Sequence, residues 1–405
     1  MIVIENAAIV DGALDHPLPG MHVAIEGGRV REVSDRPIRL EGAARLDLRG
    51  GTLMPGLVDC HVHVIATLVN VGANALLPDA LVAHRAAAIM RGMLHRGFTT
   101  VRDLGGATLG LRLAWEEGLF DGPRLVLCGK ALSQTGGHGD FRGRHDARPF
   151  DFFERRLGSL GRVADGVDAV RRAAREELQA GADYIKVMAN GGVASPTDPI
   201  AYLQYSEEEL RAAVEEARMA QTYVAAHLYT DEAIARALRC GVRSLEHCNL
   251  ITPETARAAA AAGAMACPTL VTYQALKEEG AALGLPPESV AKVDDVRLAG
   301  LRSLEVMRAA GLPMAFGTDL LGGMHRRQSE EFRIRAEVLP AHEVIRSATL
   351  DAARLLRMEG RIGCLAPGAH ADLIVVAGDP LRDIAVLEHG VTHVMQGGAW
   401  KKQPN

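Results

Sequence analysis

The chain is poor in everything that would tie it to a nucleic acid, a membrane or a disulfide scaffold. Its 405 residues carry 45 Lys and Arg against 50 Asp and Glu, a net charge of −5. Without a cationic excess nothing neutralises a phosphate backbone, which argues against nucleic-acid binding. The six cysteines, Cys60, Cys128, Cys240, Cys248, Cys267 and Cys364, form no CxxC pair and are too sparse for a disulfide framework. A reducing compartment is the simplest reading. No apolar run approaches the roughly 20 residues that span a bilayer. The N-terminus, MIVIENAAIVDGA, has no basic region ahead of its apolar residues and does not read as a signal peptide. These absences predict a soluble, cytoplasmic protein with no membrane partner. What is present suits a substantial core: 48% of residues are hydrophobic and 23% charged.

The ends and the middle of the chain differ in style. Residues 1–55 are short apolar runs broken by Gly and Asp, with Asp11-Gly12 and Gly27-Gly28 as hairpin turns. The last 45 residues repeat this, with a strand at Asp372 to Ala377 and a turn at Gly397-Gly398. Neither end can build a core alone, so residues 1–55 and 356–405 are expected to join in one small β-sandwich domain. The central unit, 56–355, alternates β runs with alanine-rich amphipathic segments. The β runs lie at 57–63, 98–103, 124–129, 184–189, 222–228, 244–248, 264–270 and 313–319. This pattern predicts an α/β chain with a (β/α)8 barrel. Ser206 and Glu209 form a capping box ahead of a stripe of Leu210, Val214 and Ala217. Residues 130–165 form a long Gly-, His- and Arg-rich insertion, the place for an active-site lid. The segment 270–295 is expected to be a loop covering part of the pocket through Tyr273, Lys277 and Glu278.

The polar residues that need explaining sit at the ends of the β runs, where barrel chemistry is carried. His61 and His63 share one strand face by their spacing of two, whereas Cys60 between Asp59 and His61 faces the other way as a packed thiol. Lys186 interrupts an apolar run; His227, His247 and Asp319 end the fifth, sixth and eighth runs. A lysine inside a strand requires a partner or a modification. Imidazoles and a carboxylate suit borderline divalent cations such as Zn²⁺. An ammonium cannot ligate, but a carbamate formed from Lys186 and CO₂ offers two oxygens and could bridge two ions. Such ions would supply a hydroxide at neutral pH, and Asp319 could take the proton and pass it to the leaving group. The implied reaction is hydrolysis of an amide or ester.

These residues carry a resemblance. DCHVH, the strand lysine, the two later histidines and FGTD resemble the amidohydrolase superfamily over essentially the whole chain. The terminal PGAHADLIVV also resembles that superfamily's small-domain strand. The resemblance implies a binuclear site. His61, His63 and Asp319 would hold the more buried ion and His227 and His247 the second. N6-carboxylysine at Lys186 would bridge them, with Asp319 as general base and acid. Finer motifs, SQTGGHGD, IKVMANGGVASPTDP, the run 227–230, LEHCNL and PTLVTYQAL, resemble the bacterial metal-dependent dipeptidases. That subgroup implies cleavage of dipeptides or N-acyl amino acids with release of the C-terminal residue, and an Xaa-Pro dipeptidase first of all. Alternatives are an Xaa-Arg/Lys dipeptidase or carboxypeptidase, an amidohydrolase of aromatic N-acyl amino acids of the ochratoxin type, a cyclic amide hydrolase, and a metal-binding protein without catalysis. The resemblance also implies a homo-oligomer, up to an octamer.

Several further residues are candidates around that site. Tyr229, two residues beyond His227, either donates to an oxyanion or packs against a loop. His138, between glycines of the insertion, either polarises the scissile carbonyl, binds the substrate carboxylate, or is exposed in its loop. Arg142, Arg144 and His145 are carboxylate binders in the lid or part of a solvated face. Ser195 lacks a paired base and is expected only to bond within its loop. Arg326, Arg327 and Gln328 are weaker candidates, and Thr318 and His325 are candidates to orient the groups around the metals.

Overall fold

The computed structural model describes residues 1–195 and 197–404; Pro196, which ends the ANGGVASP run, lies outside the described residues. Seven of the expected barrel runs are strands, at Leu57–Val62, Phe98–Asp103, Arg124–Leu127, Ile185–Met188, Val224–Thr230, Ser244–Leu250 and Met265–Cys267. The eighth run, 313–319, is extended and bridged in parallel from Met314 to Ala266. It closes the ring from both sides. Ala315 N donates to Ala266 O (2.8 Å), and Cys60 N donates to Phe316 O (2.8 Å). The third strand breaks after Leu127 and resumes at Ala131–Ser133, where Leu132 pairs with Val187 of the fourth. Parallel strands covered on both faces carry buried residues throughout, as Leu57–Val62 and Phe98–Asp103 do.

The helices between strands follow their local chemistry. In Glu207–Met219, Ser206 Oγ accepts from Glu209 N (3.2 Å) while the Glu209 carboxylate accepts from Ser206 N (2.7 Å). Leu210, Val214 and Ala217 of this helix are buried, as their spacing requires. Among the described residues no helix is long and apolar enough to cross a membrane.

Both chain ends enter one eight-stranded mixed sheet. In it Thr52–Pro55 stands between the N-terminal strand Ile2–Ile9 and the C-terminal strand Leu373–Val376. Ile4, Val23, Leu53, Leu373 and Met395 share its core, and Val3, Ala24 and Ile38 form a second cluster. The turns at Gly27-Gly28 and Gly397-Gly398 are tight hairpins with φ of +57° and +76°, and +56° and +79°, a conformation that glycine adopts without a Cβ clash. Asp11-Gly12 is not such a turn. Ile2–Ile9 pairs with Leu18–Glu26 across a longer loop, and Gly12 packs against the Arg346 backbone so closely that a Cβ would lie 2.5 Å from Arg346 N.

Two further segments differ from their expected form. The insertion contains the short strand Gly161–Val163 and the helix Phe150–Glu154. The segment after the seventh strand is helical rather than a loop: Leu270–Ala275 runs into a wider turn at Leu276–Gly280, and Pro287–Arg297 follows. Its apolar residues recur at helical spacing, and Val271, Tyr273, Ala275 and Leu276 are buried.

Candidate metal centre

The strand ends bring the predicted ligands together. His61, His63, Lys186, His227 and His247 are all no more than 6% exposed. His61 Nε2 and His63 Nε2 lie 3.4 and 3.2 Å from Asp319 Oδ1. Donor atoms of His61, His247 and Asp319 all fall within 4.8 Å of one another, a spacing that could hold a metal ion. The His247 ring is centred 4.7 Å from both His61 and His227. Lys186 lies in the wall beneath, two residues before Met188, which pairs with His227. Its ammonium makes no ion pair among the described residues, and burial pulls its pKa down against the fields of Glu246 and Asp319.

Two of these positions depart from regular strand geometry. His247 (φ +71°) and Asp319 (φ +53°) occupy the left-handed region, which non-glycine residues rarely adopt and which clusters at functional sites. The twist at His247 has a visible effect. Strand alternation would separate Glu246 from His247, yet both contact His61, Glu246 by a hydrogen bond and His247 through its ring.

The outer nitrogens of the imidazoles are tied to acceptors. His63 Nδ1 faces Gly105 O (3.2 Å) and His227 Nε2 faces Gly191 O (3.3 Å). A carbonyl can only accept, so each of these nitrogens carries the proton and leaves the inner one bare. His61 Nδ1 is held in the same way by the Glu246 carboxylate (2.9 Å). His247 Nδ1 meets Thr269 Oγ1 (2.8 Å) and Tyr273 Oη (3.1 Å). Burial, with neighbouring histidines, holds His227 and His247 well below the ordinary imidazole pKa, so both are neutral. Burial also lowers His61, but Asp319 and Glu246 outweigh it and raise that group. Asp319 is pushed up by burial and held well below the usual carboxylate range by His61, His63 and His247. A divalent cation between His61 and Asp319 would replace the shared proton. This donor set, lone pairs turned inward and protons turned outward, fits metal ions.

Sequence reading missed the carboxylates behind the ligands. Glu246, fully buried, accepts from Arg102 Nη2 at both carboxylate oxygens (2.9 and 3.0 Å) and is held well below its usual range despite its burial. Asp59 accepts from His61 N (3.1 Å), Thr318 Oγ1 (2.6 Å) and Gln328 Nε2 (2.8 Å). Asp103 accepts from Val64 N, Gly105 N and Ala107 N at 2.7 to 3.1 Å. Two of the three stand inside the quoted motifs, Asp59 two residues before His61 in DCHVH and Glu246 next to His247 in LEHC, and a carboxylate so near a histidine was the available signal. His325 donates to or accepts at Ala66 O only as its partner allows, which makes Nε2 the donor (3.1 Å).

Above the cluster is a pocket of about 480 Å³. Its polar walls are His63, His138, Tyr229, Thr272, Tyr273 and Asp319; the rest are Val71, Phe141, Leu160, Met188, Val193, Ala194, Leu276 and Leu321. Tyr273 Oη donates to Tyr229 Oη (3.1 Å), which leaves the Tyr229 proton free to point into the pocket. Glu331 seats the helix that carries Tyr273 by accepting from Val271 N (2.6 Å) while paired to Arg335 (2.7 Å). The His138 ring stacks on His227 at 4.1 Å and bonds through Nδ1 to Ser195 Oγ (2.7 Å), so Ser195 has an imidazole partner from the insertion, where the sequence predicts only bonds within its own loop. A Cβ on Gly192 would lie 1.9 Å from His138 Cε1, so glycine makes room for that ring.

Other candidates lie elsewhere. Arg142 clamps Asp140 with two bonds (2.8 and 2.6 Å), and Arg144 and His145 are exposed; none of the three lines this pocket. Lys277 pairs with Asp294, and Glu278 with Arg327. Arg326 pairs with Glu279, while Gln328 accepts from Arg96. Cys60 is a buried thiol against Ala352 O, as alternation predicts.

Comparison with known proteins places this geometry. Residues 52–401 match the family described as the amidohydrolase family. A solved prolidase in complex with N-methylphosphonate-L-proline is 53% identical with a TM-score of 0.98, covering 100% of both chains. A Xaa-Pro dipeptidase solved with bound methionine in its active site is 30% identical with a TM-score of 0.88, covering 98% of this chain and 99% of that one. The ochratoxinase of Aspergillus niger is 33% identical over 367 residues, which are 87% of this chain and 76% of that protein.

Proposed function

The chain belongs to the amidohydrolase family and is a metal-dependent hydrolase, and on that premise we propose that it cleaves Xaa-Pro dipeptides and N-acyl prolines, releasing the C-terminal residue. The carrying observation is the pocket wall. Apart from Asp319, no described residue lining it is acidic, and eight of its lining residues are apolar. A lysine or arginine side chain buried there would lack a counter-charge, at a cost of several kcal/mol. A compact apolar ring such as proline loses only water. The similarity to a prolidase that holds a proline phosphonate supports the same choice.

In this reading His61, His63 and Asp319 would hold one cation and His227 and His247 a second, most simply Zn²⁺, and Lys186 as its carbamate would supply oxygen ligands to the pair. The support for the carbamate is chemical. Burial shifts Lys186 toward the free amine, the form that reacts with CO₂, against the fields of Glu246 and Asp319, and among the described residues no carboxylate forms an ion pair with its ammonium. When bound, such cations act as Lewis acids toward a carbonyl and lower the pKa of water to near neutrality. Asp319 accepts the proton of the attacking water and returns it to the departing amine. Tyr229, with its oxygen already accepting from Tyr273, donates its own proton to the carbonyl oxygen as charge develops there. His138, which lines the same pocket beside His227, contacts the substrate as well. The apolar walls keep bulk water out and strengthen each of these interactions. Residues 56–355 are assigned to the barrel domain and 1–55 with 356–405 to the terminal domain.

A dipeptide library varied at the C-terminal residue, assayed with Zn²⁺ and bicarbonate and read as free amino acid, tests the reading. Proline release is expected to lead. Preference for C-terminal arginine or lysine would overturn it, and preference for phenylalanine would move it toward the ochratoxinase type.

A further inference from the structure

One polar cluster beside the pocket has no part in holding metal. Lys292, on the helix Pro287–Arg297, donates to the backbone carbonyls of Gly192, Ser195 (2.7 Å) and Asp198 (3.1 Å). Its three N–H groups thus end on a single loop, and it makes no ion pair among the described residues. On the inner side of that loop Asp198 is 1% exposed. Its carboxylate accepts from Gly192 N (2.9 Å), from Gln204 Nε2 (3.0 Å) and from Ser195 Oγ. Because the Ser195 proton goes to Asp198, the Ser195 oxygen is left to accept from His138 Nδ1 (2.7 Å). Gln204 Oε1 accepts from His138 N (2.8 Å), so backbone and ring of His138 both end on this network.

We propose that Lys292 is a positioning residue for the hydrolysis, gathering residues 192–198 around its ammonium so that Ser195 and Asp198 hold the His138 ring at the pocket wall. The proposal rests on the reading of His138 as a substrate-contacting group. Without the ammonium three loop carbonyls lose their donor, and the Ser195–Asp198 acceptor is no longer anchored from outside. Ser195 and Asp198, whose carboxylate also lies 3.5 Å from His138 Nδ1, would then hold the ring less firmly, and its stacking on His227 does not fix rotation about its own plane. The same cover carries Tyr273, whose hydroxyl orients Tyr229. One segment therefore sets both polar groups that face the substrate, Tyr229 through Tyr273 and His138 through Lys292.

The test is a double-mutant cycle of Lys292→Met and His138→Gln on metal-loaded enzyme with an Xaa-Pro substrate, together with nitrogen NMR of ¹⁵N-histidine-labelled protein. Lys292→Met is expected to lower kcat/KM about tenfold with unchanged metal content, and to have no further effect in the His138→Gln background. Lys292→Arg, which keeps a cation with several donors, is expected to recover part of the loss. The His138 ring resonances, identified by their disappearance in His138→Gln, are expected to shift in Lys292→Met. Equal losses in both backgrounds, or unmoved His138 resonances, would overturn the proposal. If Lys292→Met does not fold, Lys292→Gln enters the same cycle. A wild-type enzyme that cleaves no Xaa-Pro dipeptide would refute the substrate reading instead, and the resonances would still report on the tether.

Discussion

Glu246→Gln separates what the buried carboxylate does for the fold from what it does for the metal centre. Glu246 accepts from Arg102 Nη2 at both oxygens (2.9 and 3.0 Å), from the Ser244 hydroxyl at Oε1 (2.6 Å) and from His61 Nδ1 at Oε2 (2.9 Å). Glutamine has the same shape but no charge, and its single oxygen can stand at only one of the two positions: placed where Oε2 accepts from both His61 and Arg102, it turns the amide N–H groups toward the Arg102 and Ser244 donors. Breaking one partner of a buried ion pair costs about 3–5 kcal/mol. The surviving acceptor oxygen places the expected loss near the lower end, about 3 kcal/mol, a large share of a stability of about 5–15 kcal/mol. A separate effect falls on the ligand. His61 exchanges a carboxylate acceptor for a neutral amide oxygen, and metal affinity should fall about 10-fold, or about 1.4 kcal/mol. Urea unfolding of metal-stripped protein measures the first effect, and competition with a chromophoric chelator the second. Adding Arg102→Met removes the stranded guanidinium, so the double variant should regain part of the stability and none of the affinity. Wild-type unfolding and affinity in Glu246→Gln, or recovery of both in the double variant, would refute this account.

Asp319→Asn should lower turnover at least about 100-fold while retaining part of the metal; unchanged turnover removes its role in proton transfer. Gly192→Ala places a methyl group 1.9 Å from the present position of His138 Cε1, so activity should drop with metal content intact, and a crystal structure with the ring unmoved would contradict this. Ala194→Glu, on the apolar wall, should raise activity toward C-terminal lysine and arginine relative to proline; an unchanged preference would mean that this wall does not read the substrate side chain. Burial lowers His325 from 6.5 to about 4. The unfolded chain therefore takes up a proton near pH 6.5 that the folded one refuses, and stability present above that pH is lost as pH falls toward 4. The loss is about 3 kcal/mol at most, and His325→Gln should flatten the unfolding midpoint over that window if the assignment is right.

Much of the centre was legible because strand periodicity is a strong local signal. The spacing of His61 and His63 and of His227 and Tyr229 puts each pair on one face, and the structure has both pairs together at the barrel mouth. The capping box at Ser206 needed only residues within one turn. Glu246 was not legible for the same reason: alternation turns it away from His247, and only the left-handed backbone at His247 brings both inward. The tight turn expected at Asp11-Gly12 failed because a contact more than 300 residues away, with Arg346, decides what Gly12 is for.

Residue types and their positions along the strands already imply a barrel whose mouth gathers imidazoles, a carboxylate and a buried amine. Tertiary structure alone decided which nitrogen of each imidazole is free, because that depends on a carbonyl or carboxylate contributed by another strand or loop. It also decided that Arg142 serves Asp140 rather than the pocket, and that Lys292 reaches a loop about 100 residues earlier. Hydrogen bonds of this kind are short-ranged in space and unconstrained in sequence, so no local pattern encodes their partners.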